Sequence, residues 1–180
     1  PERALKGVDV AFNAMHGEYG EDGQLQRALD KLGVPYTGSD AFASSLSFNK
    51  HHTKEAVQKL GIKVPYSTVI DFEPAHDGEI EALAQRLFRS FPQPAVVKPA
   101  AGGSSIAVSV AHSYHGLEDA LRLAAAHSNK IMVEEFIPGR EASVGVIDNY
   151  RGEDLYALVP TQSVFTHDEK GQLAELARAA

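Results

Sequence analysis

The chain has 180 residues, 43% hydrophobic and 23% charged, with no cysteine and a formal net charge of −7. That composition is globular rather than disordered, and the negative balance excludes a general nucleic-acid binder, which shows a basic stripe; any phosphate site must be local. Disulfides, thiol nucleophiles and cysteine metal sites are excluded, and with no bilayer-length apolar run and no signal-peptide layout a soluble, cytoplasmic protein is expected.

Residues 8–14 (VDVAFNA) read as a short buried strand and "MHGEYGEDGQ" as a loop. Leu25, Ala28, Leu29 and Leu32 then recur at helical spacing up to Gly33, a natural left-handed cap. With the extended piece at 34–38, this is a strand, loop, helix, strand unit, like the end of a Rossmann-like domain. Ser39 is placed to cap a short helix through Ser47. Asn49 is placed to cap the next, whose Ala56, Val57 and Leu60 share a face ending at Gly61. A strand fits residues 66–71. Ile80, Leu83, Ala84, Leu87 and Phe91 make one stripe of a helix over 77–91. Strands follow at 95–97 and 106–110, a helix at 117–126 and a strand at 130–136. Residues 140–147 and 155–163 suit a strand pair joined through "DNYRG", and residues 172–180 (QLAELARAA) continue as an unfinished helical pattern. That ending, with proline at position 1, reads as a piece of a longer protein. Paired strands with intervening helices favour α+β pieces attached to an α/β start, several small domains around a cleft.

The segment "KPAAGGSS" (98–105) interrupts two β-branched runs. A hairpin needs only a short turn, whereas a lysine followed by Gly102, Gly103, Ser104 and Ser105 offers backbone donors to phosphate oxygens. A strand-end lysine also snorkels to solvent, and Gly and Ser are ordinary turn residues. The order differs from the Walker pattern, because Lys98 precedes the glycines and no helix follows. Glu134, Glu135 and Glu141 bracket "FIPGR", a combination that suits a purine pocket or a solvated acidic edge. His16 lies with Glu21 and Asp22 on a glycine-rich loop, suited to acid–base or orienting work or to a plain surface loop. The eight histidines show no ligand spacing, and the adjacent His51 and His52 point apart on a helix.

Taken in order, "HGEYGEDGQLQRALDKLGVPYTGSDAFASSLSFNKHHTK", "VVKPAAGGSSIAVSV" and "VEEFIPGREASVGV" resemble the D-alanine–D-alanine ligase family of ATP-grasp enzymes. The resemblance runs from about Val8 to Val164, less clearly over 72–91. It implies an α/β and α+β chain, an ATP-grasp fold preceded by part of a Rossmann-like domain. Residues 1–39 would be the C-terminal part of that first domain, 40–134 the central ATP-grasp subdomain and 135–180 the truncated beginning of the C-terminal one. The implied reaction is ATP- and magnesium-dependent ligation of two D-alanines through an acylphosphate, for cell-wall peptidoglycan, in a cytoplasmic homodimer that touches neither nucleic acid nor membrane. Lys50 and Lys98 match the two lysines that hold ATP phosphates. Gly103, Ser104 and Ser105 match the loop closing over them, with Ser104 also positioning substrate. Glu134 matches an adenine-pocket residue, lined further by backbone of Glu135, Phe136 and Ile137, and Glu141 matches the ribose-binding glutamate. His16 and Glu21 match the loop facing the D-alanine site.

Departures accompany these matches. Gly102 stands where the family commonly has Glu, Asn49 where it has Asp, and Ala107 where it has Gly. The resemblance places the magnesium ligands and the transition-state arginine downstream of position 180 and a substrate-site glutamate upstream of position 1, so the chain by itself is expected to be inactive. It also implies a mobile loop after Val164 that is absent from the sequence, with residues 172–180 resembling the helix that follows it. Two rivals stand beside the leading reading: a relative using D-lactate or D-serine as second substrate, and a degenerate nucleotide-binding module without ligase activity.

Overall fold

The computed structural model describes residues 5, 7–72, 77–103, 105–167 and 173–178. It divides into two compact units, Pro1–Phe136 and Ile137–Ala180.

In the first unit, the segment expected as a buried strand is extended but exposed: Phe12 is 80% accessible. Its one ladder contact is a parallel bridge between Ala11 and Tyr36, and among the described residues no further strand shelters its apolar side chains. Helix α1 (Gln24–Leu32) follows, closed as expected by Gly33 in the left-handed region. α2 (Ala41–Phe48) is capped by Asp40, whose carboxylate accepts from the Ala43 N–H at 2.7 Å. The expected cap Ser39 lies one residue too early. Its carbonyl accepts from the Ser44 hydroxyl instead. Asn49 caps α3 (Lys50–Lys59), its side-chain oxygen accepting from the His51 and His52 N–H groups at 3.0 and 3.2 Å.

Strands β1 (Ser67–Asp71), β2 (Ala95–Pro99), β3 (Ser109–Ala111) and β4 (Lys130–Glu135) form an antiparallel sheet in the order β1-β4-β2-β3. Because side chains alternate along a strand, the register divides this sheet into two chemically distinct faces. Ala95, Val97, Ile131 and Val133 lie on one, covered by α4 (Asp77–Ser90) through Ile80, Leu83 and Leu87, and by α5 (Tyr114–Ala125) through Leu117 and Leu121. Each fully buried aliphatic side chain in this layer contributes roughly 1.5–3 kcal/mol. Ser67, Val96, Lys98, Met132 and Glu134 share the opposite face. The strand expected at 106–110 begins later, because residues 105–107 make a tight turn with Ser105 and Ala107 at φ 55. No helix of the described residues is long and apolar enough to cross a membrane.

The second unit holds β5 (Glu141–Ser143), β6 (Val146–Tyr150), β7 (Glu153–Ala157), β8 (Thr161–His167) and β9 (Leu173–Arg178). The expected long strand pair is two pairs, β5 with β8 and β6 with β7, and the turn is Arg151-Gly152, with residues 148–150 inside β6. β8 runs unbroken across Val164 and Phe165. The helix expected at the end is strand β9, registered from His167↔Leu173 to Gln162↔Arg178. Its leucines and alanines favour a helix locally, but a free ladder edge on β8 satisfies its backbone, and such pairing overrides a weak propensity.

Candidate nucleotide site

The polar face of the sheet builds a site around Glu134. This residue is 7% exposed although ionisable. Such burial is tolerated only with partners, and both carboxylate oxygens have one: Oε1 accepts from Lys54 Nζ at 2.5 Å, and Oε2 from Lys98 Nζ. Burial by itself pushes the Glu134 carboxyl up, but the hydrogen bonds from Lys54 and Lys98 outweigh it and hold the group below the usual range. Lys98 comes from β2 diagonally across the register, opposite Met132 while Glu134 is opposite Val96.

Lys50 joins this cluster from the first turn of α3. Its N–H donates to the Ala100 carbonyl at 2.9 Å and its Nζ to the Gly102 carbonyl at 2.8 Å, tying the helix start to the glycine loop. Desolvation, followed by repulsion from Lys98, lowers its pKa against the pull of Glu134. Two ammonium groups thus pair with one carboxylate while a third, on Lys50, is held at the glycine loop and feels both Lys98 and Glu134, an excess of positive charge that a polyanion would relieve.

The loop itself is shaped by glycine. Gly102 sits at φ 122, a conformation that L side chains rarely adopt, so any residue with a side chain would be strained in this backbone. A Cβ on Gly103 would stand 3.4 Å from Glu21 Oε2, which places the loop against the His16–Glu21 segment. There Glu21 Oε2 accepts from the Gly17 N–H at 2.5 Å, and His16 Nδ1 lies 3.9 Å from Glu21 Oε1. Ala107, inside the strand expected at 106–110, is instead at φ 55 and only 9% exposed. The left-handed conformation costs roughly 1–2 kcal/mol. Glycine would remove that cost but add about 0.5–1 kcal/mol of backbone entropy and forgo about 0.8 kcal/mol of methyl burial. Ala107→Gly is therefore expected to leave unfolding free energy unchanged within about 0.5 kcal/mol in urea titration; a larger change in either direction would show that one of these terms is misjudged.

The structure thus brings together Lys50, Lys98, Glu134, Gly103, Glu21 and His16. Ser104 lies outside the described residues, and Ser105 is exposed at φ 55. Glu135 serves the sheet: its carboxylate accepts from the Tyr66 N–H at 2.8 Å, while its own N–H and that of Phe136 donate to the Tyr66 and Pro94 carbonyls. Ile137 and Glu141 belong to the second unit, Glu141 opening β5. The residue that sequence reasoning missed is Lys54, although its spacing from Lys50 puts both on one helix face.

Residues 56–178 match the family model described as "D-ala D-ala ligase C-terminus", and residues 1–39 match "D-ala D-ala ligase N-terminus". A D-alanine–D-alanine ligase from Geobacter sulfurreducens is 38% identical over 164 residues, 91% of this chain and 49% of that protein. D-alanyl-alanine synthetase A from Vibrio cholerae superposes with a TM-score of 0.73 at 26% identity, covering 87% of this chain and 46% of the other. The VanG D-Ala:D-Ser ligase from Enterococcus faecalis superposes with a TM-score of 0.76 at 27% identity, covering 95% and 49%. The chain spans about half the length of these relatives.

Proposed function

Because the chain belongs to the D-alanine–D-alanine ligase family and has its ATP-grasp fold, we propose that the intact protein joins two D-alanines at the expense of ATP, supplying the dipeptide for peptidoglycan. The observation that carries this reading is the cluster of Lys50, Lys98 and Glu134 beneath the glycine loop, with Glu21 against Gly103. Residues 1–39 are assigned to the Rossmann-like domain, 40–134 to the central subdomain and 135–180 to the start of the C-terminal one. The protein works in the cytoplasm, where ATP is available, as a homodimer.

In this reading Lys50 and Lys98 hold the phosphates of ATP, and preorganised cations stabilise charge on the transferring phosphoryl group. The backbone of Gly103 to Ser105 covers the phosphates, and Ser104 positions substrate. Glu134 to Phe136 lie along the adenine. Because the Glu134 carboxylate already binds two lysines, any hydrogen bond to an exocyclic amine shares an oxygen with them. His16 and Glu21 orient the first D-alanine, whose carboxylate takes the phosphoryl group; the amine of the second then displaces phosphate. Among the described residues no three histidine, aspartate or glutamate side chains converge to hold a metal, so no residue here is assigned to magnesium, which would neutralise phosphate charge when bound.

The deciding experiment is phosphate release from ATP and magnesium by the intact protein, with and without D-alanine, with product analysis. D-alanine-dependent release with dipeptide supports the proposal, and ATP binding without D-alanine dependence overturns it in favour of a binding module. Likeness to the VanG enzyme favours one second reading, with D-serine as second substrate; D-serine added beside D-alanine would then yield the mixed dipeptide. Lys98→Ala is expected to weaken ATP binding about 10- to 100-fold by calorimetric titration, as loss of a charge-assisted phosphate contact. Glu134 keeps Lys54 in that variant, so its melting temperature should fall little. Unchanged affinity would remove Lys98 from the site.

A further inference from the structure

We infer that Lys54 is a positioning residue that holds the phosphate-binding cation Lys98 in place through Glu134. The inference rests on the nucleotide-site reading above and adds a residue to it. An ammonium group has three donors, and Lys54 uses all three inside the protein. Its Nζ donates to the Pro65 carbonyl at 2.6 Å, to Ser67 Oγ at 2.7 Å and to Glu134 Oε1 at 2.5 Å. It has no donor left for a ligand. Its side chain is 15% exposed and that of Glu134 9%, so solvent competes weakly for these bonds. The three acceptors come from the approach to β1, from β1 and from β4, which anchors Lys54 to framework rather than to loop.

Lys98 differs in that its hydrogen bond among the described residues is the one to Glu134 Oε2, which leaves donors for an anion. The carboxylate is therefore a bridge: one oxygen is fixed by Lys54, and the other fixes Lys98. Without Lys54 the carboxylate can rotate about its last torsion, and Lys98, on a four-carbon stem, follows it. α3 carries Lys50 and Lys54 on one face, so the same helix holds the glycine loop through Lys50 and the cation from β2 through Lys54 and Glu134.

The test uses the intact protein and the variants Lys54→Met, Lys98→Met and the double variant, titrated calorimetrically with ATP and magnesium. Lys54→Met should weaken binding about tenfold, whereas in the Lys98→Met background it should have little further effect. Affinity within about twofold of wild type, or the same factor lost in both backgrounds, would overturn the inference by making Lys54 irrelevant or merely structural. A second readout needs no nucleotide. The side-chain ammonium resonance of Lys98, assigned by its loss in Lys98→Met, should be protected from solvent exchange in wild type and lose that protection in Lys54→Met. An unprotected wild-type signal, or one unaltered in the variant, overturns the inference. Absence of ATP binding by wild type would defeat the ligase reading, while the resonance still decides what Lys54 does. Should Lys54→Met not fold, Ser67→Ala removes one of the three acceptors and should speed Lys98 exchange; an unchanged rate counts against the inference.

Discussion

Glu134→Gln is expected to destabilise the protein by about 3–5 kcal/mol at neutral pH, because removing the shared partner leaves two poorly exposed ammonium groups without a counter-charge. The amide keeps the size of the side chain, so the loss is electrostatic and not a cavity. The pH dependence separates this from a general packing defect. The folded Glu134 carboxyl titrates below its ordinary value near 4.5. Its pairing therefore stabilises fully above that value and is lost as pH falls through the lower folded one. Wild type should weaken in acid while the glutamine variant, which lacks this component, changes less, so the gap between them narrows. Urea titrations at pH 7 and about pH 3.5 measure it. A gap under about 1 kcal/mol at pH 7, or one that stays constant in acid, would mean that the lysines do not depend on this carboxylate.

Gly23→Ala is expected to cost about 3 kcal/mol, the sum of left-handed strain and overpacking. Gly23 begins α1 at φ +88, and a Cβ there would lie 2.3 Å from the Ala41 carbonyl oxygen and 3.2 Å from its carbon. These are backbone atoms at the start of α2, which cannot swing aside as a side chain would. Gly33→Ala is the control: it shares a positive φ of +65 but has nothing within 4 Å of the added atom, so only the conformational cost of about 1 kcal/mol remains. Equal losses at the two positions in urea titration would show that the approach to Ala41 carries no energy. In Gly23→Ala the separation of α1 from α2 should also disturb the adjoining Glu21 segment; under the proposed ligase function the intact protein would then need more D-alanine.

The helices α1, α3, α4 and α5 were legible because each carries a local stripe of apolar residues, reinforced at α1 by Gly33 and at α3 by Asn49. Lys98 and the glycine loop were legible for the same reason, as a departure from ordinary strand composition. Contacts across the sheet were not. Lys98 and Glu134 are 36 residues apart, Lys54 and Glu134 are 80 apart, and only the register of β4 between β1 and β2 brings them onto one face. The sequence therefore offered Glu134 as a pocket residue without showing the two lysines that hold its carboxylate. The end of the chain shows the opposite failure: residues 173–178 carry helical spacing, and their conformation as β9 depends on β8 beside them. The buried first strand failed likewise, since burial of Val10 and Phe12 needs neighbours that an alternating pattern cannot supply.

The two-faced sheet has a further consequence, for the search by which the chain finds its fold. If β4 paired with β2 one residue out of step, every side chain on it would change face. Glu134 would enter the hydrocarbon layer beneath α4 and α5, and Val133 would take its place among the lysines. A purely apolar β4 would tolerate that slip at modest loss, but a buried, unmatched carboxylate would not. The charges that would await a polyanion thereby also disfavour the misregistered sheet.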